Sequence, residues 1–292
     1  MKILGGSNSY YIAKQLSDLL NIKYIPVETR KFPDGEIYVR IDGEVSKEDI
    51  IVVQSLAKHP NDSLVELIFI CRTLKELNAS RIYAFIPYFA YARQDTRFKQ
   101  GEAVSLDIVA NLLEWSGIDE IITIDFHLHR RKPEEIFKIP IHNLSAMRKL
   151  SEYILKNYRF SNLILVGPDE ESEQWVKTFA KYFDTPYIIL EKTRLGDENV
   201  IIKSEEELHE ANEAIVIDDI VSTGGTLRET AIFLRNKGIK KLYAVVTHAL
   251  LAPASEYNLS YYNEIISTDS IVNPYAKVKV AEIFTDFIRR RL

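Results

Sequence analysis

The chain has 292 residues, 46% of them hydrophobic, which is enough for two ordinary domains each with a packed core. Its 37 Lys and Arg against 42 Asp and Glu leave a net charge of −5, so there is no general basic field for nucleic acid or anionic lipid, and any anion site has to be built locally. A single cysteine excludes an intrachain disulfide, and no apolar run approaches membrane-spanning length.

The N-terminus offers one Lys and a two-residue apolar stub before Gly5-Gly6, too short for a signal peptide. The expectation is a cytoplasmic protein in a reducing environment, with neither a membrane nor nucleic acid as partner. Short β-branched runs then recur with helical patterns between them, the mark of βαβ units and of mainly parallel sheets flanked by helices. In the first half the pattern predicts strands over 2–4, 50–54, 81–86 and 120–124, and helices near 9–20, 62–77 and 103–115. Cys71 falls on the apolar face of the second helix with Leu64, Leu67, Ile68 and Leu74, and reads as a small core residue.

In the second half, strands are predicted over 163–166, 187–190, 214–217 and 242–247, and helices near 145–157, 171–183 and 225–237. The repeat is architectural and has no fixed sequence period. It gives an α/β protein of two domains, 1–143 and 144–292, with the boundary near 142–146. The last segment, 275–290, carries apolar residues at helical spacing and is expected as a helix able to pack back on either half, the N-terminal domain included.

Ligands of open α/β sheets bind beyond the carboxyl ends of the strands, so the residues after each strand are the candidates. "RKFPDGEIYVRI" (30–41) is a hairpin tip in which Pro33, Asp34 and Gly35 make the turn. Phe32 and Glu36 are less readily explained, since a tip gains little from an exposed Phe unless it stacks on a ligand or partner. "YFAYARQDTRF" (88–98) puts rings beside Arg93, Gln94 and Asp95. Rings can border a purine, Arg93 can grip phosphate oxygens and Gln94 a base or ribose edge, although a surface loop with aromatic packing fits these residues equally.

Asp125 and Asp169 each follow a strand, the first with His127 close behind. His127 and Asp169 could hold a magnesium ion on a polyphosphate, the histidine acting through water. His127 and His129, two apart, leave a zinc reading as a minor alternative, without a third ligand at the usual local spacing. "LEKTRLGDEN" (190–199) holds Lys192 and Arg194 two apart ahead of Gly196, as in an extended lid that could stabilise charge on a transferring phosphoryl group. Taken alone, two loop cations are more often simply solvated.

"AIVIDDIVSTGGTLRETA" (214–231) carries the sharpest signal. Side chains alternate along a strand, so Asp218 and Asp219 cannot both enter the core layer, and both are expected at the exposed strand end. Ser222, Thr223, Gly224, Gly225 and Thr226 then supply backbone N–H groups, hydroxyls and a helix N-terminus, which together make a site for a phosphate dianion. Neighbouring carboxylates suit vicinal sugar hydroxyls or a magnesium hydration shell, so the combination suggests a sugar phosphate. The bland alternative is a strand-turn-helix connection with Thr226 as N-cap. The lysine of a Walker A loop is missing, so cations for a polyphosphate must come from elsewhere.

The 214–226 stretch resembles the phosphoribosyl-diphosphate motif of the type I phosphoribosyltransferase fold. Over about residues 1–290, F-P-D-G-E, Y-A-R-Q-D, D-x-H, G-P-D, K-T-R and D-D-I-V-S-T-G-G-T follow in an order that resembles the ribose-phosphate pyrophosphokinase family. The resemblance implies two phosphoribosyltransferase type I-like domains related by pseudo-symmetry. It also implies transfer of the β,γ-diphosphate of ATP to the 1-hydroxyl of ribose 5-phosphate, giving 5-phosphoribosyl 1-diphosphate and AMP, with Mg2+ as cofactor.

Carried over residue by residue, the resemblance gives Phe32, Asp34, Gly35 and Glu36 a contact to ATP from a neighbouring subunit, hence a homo-oligomer, at least a dimer. It gives Arg93, Gln94 and Asp95 to ATP, His127 and Asp169 to the metal, and Lys192 and Arg194 to catalysis. Arg194, Asp218, Asp219, Ser222, Thr223, Gly224, Gly225 and Thr226 go to ribose 5-phosphate. Two places depart from the pattern: Leu128-His129-Arg130-Arg131-Lys132 replaces a polar pair, and Glu170-Glu171-Ser172-Glu173 stands where small residues are usual. A phosphoribosyltransferase shares the 214–226 motif, but the F-P-D-G-E and R-Q-D segments and the two-domain length favour the synthetase. A non-catalytic homologue is disfavoured by the presence of Lys192 and Arg194.

Overall fold

The computed structural model describes residues 1–183, 185–194, 200–203, 211–253 and 255–291, and for 192–194 and 200–203 it describes the backbone. Contacts divide the chain into two units, Met1–Ser145 with Val280–Leu292, and Ala146–Lys279.

Unit one contains β1 (Lys2–Gly5), α1 (Tyr10–Leu20), β2 (Tyr24–Ile25), β3 (Val27–Lys31), β4 (Ile37–Ile41), β5 (Ile50–Val53) and α2 (Pro60–Glu76). β6 (Ile82–Ile86), α3 (Ser105–Trp115), β7 (Glu120–Ile124), α4 (Pro133–Ile136) and β8 (Ile141–Leu144) follow. The sheet order is β2-β1-β5-β6-β7-β8, all parallel. β5 and β7 are buried at every position, as strands covered on both faces must be; β5 reads as an unbroken apolar run, while β7 also buries Glu120 and Thr123. On α2, Leu64, Leu67, Ile70, Cys71 and Leu74 form the buried stripe, and Pro60 opens the helix, where its fixed φ and missing N–H cost nothing.

Unit two contains α5 (Met147–Asn157), β9 (Leu163–Gly167), a 3-10 turn (Glu170–Ser172), α6 (Glu173–Ala180), β10 (Tyr187–Ile189), β11 (Glu191–Arg194) and β12 (Val200–Lys203). β13 (Glu213–Val221), α7 (Gly225–Asn236), β14 (Lys241–Ala249), α8 (Ser255–Leu259), β15 (Glu264–Thr268) and β16 (Ala276–Val278) complete it. Its sheet order, β10-β9-β13-β14-β15-β16, repeats that of unit one strand for strand, again all parallel. Each unit also inserts an antiparallel two-stranded ribbon between its second and third sheet strands, β3/β4 in one and β11/β12 in the other. The protein is therefore an α/β chain of two like-wound domains. In each, the strand order reverses between the first and third strands, and ligands are expected at that switch point.

Three expectations need correction. The segment 275–290 is not one helix: β16 pairs with β15, and only α9 (Val280–Arg289) is helical. α9 belongs to unit one, where Phe284 packs on Phe85 with ring centroids 4.6 Å apart and the ring planes tilted by 33°. The predicted helix over 171–183 is shorter, because Asp169 caps a 3-10 turn first, accepting from the N–H of Ser172 at 3.1 Å. β13 runs on to Val221, well beyond the predicted 217, and β14 follows it to Ala249. No helix among the described residues is long and apolar enough to cross a membrane.

Candidate active site

The switch point of unit two lies between β9 and β13. β13 stays in the sheet through both aspartates, so alternation puts Ile217, Asp219 and Val221 on one buried face, and Asp219 is 1% exposed. The expectation that both acids lie at an exposed strand end is thus wrong for Asp219; Asp218 is half-buried on the other face. The Asp219 N–H donates to Asp218 Oδ1 at 2.9 Å. Burial raises the proton affinity of Asp218 well above that of an ordinary aspartate, and the charges of Asp219 and Asp169 raise it further. Asp169, Asp218 and Asp219 thus form an acidic centre that calls for a proton, a cation or hydroxyl donors.

Beyond Val221 the chain turns through Ser222–Gly224 into α7. Gly224 is the N-cap at φ +78, a left-handed conformation, and a Cβ there would come 3.1 Å from the Asn258 Cβ. Glycine is required at 224 by the turn and by the packing. Gly225 differs, since a Cβ there would meet only Thr223 Oγ1, at 3.7 Å. The space over it is open.

α8 braces this loop from behind. Asn258 Nδ2 donates to the Thr223 carbonyl at 2.8 Å, and the Tyr262 hydroxyl donates to the Leu227 carbonyl at 2.8 Å. Burial, then the Asp218 charge, push the Tyr262 phenol well above its ordinary value, so it remains a donor. Among the described residues, the N–H groups of Ser222, Thr223 and Gly224 have no protein acceptor, while that of Gly225 reaches Thr223 Oγ1 at 3.4 Å. N–H groups without a protein acceptor thus sit together with the N-terminus of α7, an arrangement able to receive an anion.

Unit one has the same place in its topology, after β5, and there it is filled by protein. Asn8 Nδ2 donates to the carbonyls of Ser55 at 3.3 Å and Ala57 at 3.0 Å and to Ser63 Oγ at 2.7 Å, while the Ser55 N–H donates to Ser9 Oγ at 2.8 Å. Of the two equivalent loops, the one in unit two is open.

Lys192 and Arg194 lie on β11, opposite Ile202 and Val200 of β12. Gly196 and the rest of 195–199 lie outside the described residues.

In unit one the β3/β4 hairpin closes through Phe32 N–H to the Glu36 carbonyl at 2.8 Å and Gly35 N–H to the Phe32 carbonyl at 2.9 Å. Gly35 holds φ +97 with nothing near a would-be Cβ, and Pro33, Asp34 and Glu36 are exposed. Phe32 is 39% exposed, with the Arg30 guanidinium 4.6 Å from its ring and 4.3 Å from that of Tyr38. Arg30 thus props the Phe32 ring in place rather than leaving it loose on the tip.

In the 88–98 loop Arg93 is exposed, and Gln94 Nε2 donates to the Thr96 carbonyl and Glu102 Oε2, each at 3.3 Å. Asp95 is 2% exposed and accepts from Arg130 at 3.3 Å through Oδ1, while Arg131 donates to its carbonyl at 3.1 Å and to Asp107 at 2.5 Å. The basic run after His129 therefore clamps this loop, a role that sequence reasoning missed.

Asp125 is buried at φ +37, and its N–H donates to the Leu144 carbonyl at 2.8 Å. Such a φ on a non-glycine residue is strained backbone, of the kind that clusters at functional positions. It sends the chain into His127 and His129, whose Nε2 atoms are 3.2 Å apart. Asn258, Tyr262 and the clamp arginines were also invisible beforehand, since their partners lie tens of residues away and local spacing carries no trace of them.

The model of the N-terminal domain of ribose phosphate pyrophosphokinase matches residues 1–117, and that of the phosphoribosyl transferase domain residues 132–279. The ribose-phosphate pyrophosphokinase of Methanothermobacter thermautotrophicus is 36% identical over 289 residues, covering 98% of this chain and 99% of its own. That of Methanobrevibacter smithii is 35% identical over 300 residues, with 98% and 99% coverage. The crystal structure of phosphoribosylpyrophosphate synthetase from Mycobacterium smegmatis superposes with a TM-score of 0.89 at 27% identity, over 99% of this chain and 98% of that one. The chain belongs to the ribose-phosphate pyrophosphokinase family.

Proposed function

We propose that this enzyme transfers the β,γ-diphosphate of ATP to the 1-hydroxyl of ribose 5-phosphate, forming 5-phosphoribosyl 1-diphosphate and AMP for nucleotide biosynthesis. The observation that carries the reading is the open loop 222–226 beside Asp218, whose counterpart in unit one is plugged by Asn8. Ser222, Thr223, Gly224, Gly225 and Thr226 bind the 5-phosphate, and Asp218 takes ribose hydroxyls, while Asp219, buried on the opposite face of β13, supports Asp218 through its N–H. Arg93 and Gln94 hold ATP, Asp95 fixes their loop through Arg130, and Phe32, Asp34, Gly35 and Glu36 meet the ATP of a neighbouring subunit. The enzyme then works in the cytoplasm as a homo-oligomer, at least a dimer.

The sugar O1 bonds to the β-phosphorus as the bond from that phosphorus to the AMP oxygen breaks, and AMP leaves with the electron pair. Such a transfer asks the protein for alignment and charge neutralisation more than for covalent chemistry. Lys192 and Arg194 neutralise charge on the moving oxygens, and Arg194 also contacts ribose 5-phosphate. An acid of the Asp218-Asp219 pair accepts the 1-hydroxyl proton, a task suited to the raised proton affinity of Asp218. The crowding of carboxylates that raises it also fits a hard divalent cation with oxygen ligands. Asp169 in unit two would hold Mg2+, and His127 in unit one would serve a second Mg2+ through water. Mg2+ would supply charge neutralisation on the diphosphate and acidify the attacking hydroxyl.

Phosphorus NMR of the reaction with ATP, ribose 5-phosphate and Mg2+ tests this. The expected products are AMP and a diphosphate ester at C1; ADP and a monophosphate ester would identify a simple kinase and overturn it. Pyrophosphate release that depends on a nucleobase would indicate the phosphoribosyltransferase reading instead.

A further inference from the structure

Glu66 lies on the inner face of α2, 2% exposed, and receives four hydrogen bonds. Its Oε1 accepts from the Ser7 N–H and from Thr29 Oγ1, both at 2.8 Å. Its Oε2 accepts from Ser7 Oγ at 2.5 Å and from Gln54 Nε2 at 2.9 Å. A carboxylate this deeply buried is stable only because each oxygen is fully used. The four donors come from three separate places: the loop after β1, the end of β5, and the middle of β3 in the hairpin.

The tie to Thr29 has a different character from the other links between hairpin and helix. Lys31 also bonds Asp62, at 2.5 Å, but both side chains are well exposed, and such pairs hold little against solvent and salt. Val27 and Val39 pack on the core without directional preference. Thr29, half-buried and bonded to the buried Glu66, is therefore the directional anchor of the ribbon, and it stands three residues before Phe32, about 10 Å along the strand. Through Glu66, Thr29 of the hairpin is tied to Ser7 and Gln54 at the carboxyl-end edge of the unit-one sheet.

We propose that Glu66 is a positioning residue for ATP: by fixing Thr29 against Ser7 and Gln54, it sets where the Phe32–Glu36 tip is held. The inference rests on the reading that the tip contacts ATP. Glutamine cannot replace Glu66 cleanly, because its amide presents donors toward donors. Turned one way it faces Gln54 Nε2, and turned the other it faces the Ser7 N–H. Rotating hydroxyls rescue only the Ser7 Oγ and Thr29 contacts.

The test compares Glu66→Gln, Thr29→Val, Thr29→Ser and Phe32→Ser in the full-length enzyme, reading kcat and the KM for each substrate. Glu66→Gln is expected to raise the KM for ATP about tenfold and Thr29→Val about fivefold, with the KM for ribose 5-phosphate within about twofold of wild type. Thr29→Ser, which keeps the hydroxyl, stays near wild type. If Phe32→Ser raises the KM for ATP while Thr29→Val does not, the role of Glu66 is overturned and the tip's role stands. If Phe32→Ser leaves the KM for ATP unchanged, the tip reading falls and the inference falls with it. A rise in both KM values, or a fall in kcat alone, marks a purely structural residue and also overturns the proposal. Should Glu66→Gln fail to fold, the Thr29 pair decides.

Discussion

Asn258 and Thr223 are joined by a hydrogen bond of 2.8 Å from the side-chain amide of one to the main-chain carbonyl of the other, and the Cβ of Asn258 fills the space that a side chain at Gly224 would need. The 222–226 loop is thus shaped from behind by α8. Asn258→Ala should raise the KM for ribose 5-phosphate about fivefold while leaving that for ATP unchanged, as steady-state kinetics with each substrate varied would reveal. Gly224→Ala should instead destabilise the fold by about 1–2 kcal/mol, read as a lower denaturant midpoint, because it adds left-handed strain to a steric clash.

Asp218 gives a pH-dependent signature. Its folded value is raised, by burial first and then by Asp219 and Asp169, so between the ordinary aspartate value near 3.9 and that raised value the folded chain holds more protons than the unfolded one. In metal-free buffer the contribution of this group is present at low pH and is lost as pH rises through that window. Asp218→Asn should therefore melt above wild type at neutral pH and converge with it near pH 4. Added Mg2+ should raise the melting temperature of wild type more than that of the variant. A constant offset between the two proteins across pH would contradict this account.

The legibility of the sequence was uneven, for physical reasons. The unbroken apolar run Ile50–Val53 and the β-branched run Ile121–Ile124 announce buried parallel strands, and the glycine-hydroxyl run announces the loop that follows β13. The passage of β13 through two acids was misread, because a charge in a sheet is acceptable only with partners or water that come from elsewhere in the fold. Ala276–Val278 fits a helical period as well as a strand, and pairing with Ser267 and Thr268 decides the matter. The Asp95–Arg130 bond spans 35 residues, and no local spacing encodes it.

That bond has its own consequence. Arg130→Ala would strand a carboxylate that is 2% exposed, which should cost about 1–3 kcal/mol in chemical denaturation and raise the KM for ATP through the loosened 88–98 loop. If stability and the KM for ATP both stay at the wild-type level, the clamp has no role.

Lys192→Ala should reduce kcat about a hundredfold with little change in either KM, since a group that neutralises charge developing in the transition state contributes little to ground-state binding. A rise in KM at constant kcat would make Lys192 a binding residue instead.

Gly225 offers the cleanest test of whether the 222–226 loop grips the 5-phosphate. A methyl group there has room within the protein, its nearest heavy atom being Thr223 Oγ1 at 3.7 Å, but it projects into the space the phosphate would take. Titration calorimetry with ribose 5-phosphate should give at least a tenfold weaker dissociation constant for Gly225→Ala than for wild type, with the melting temperature and ATP binding unchanged. Equal affinity for ribose 5-phosphate in the two proteins would contradict the account.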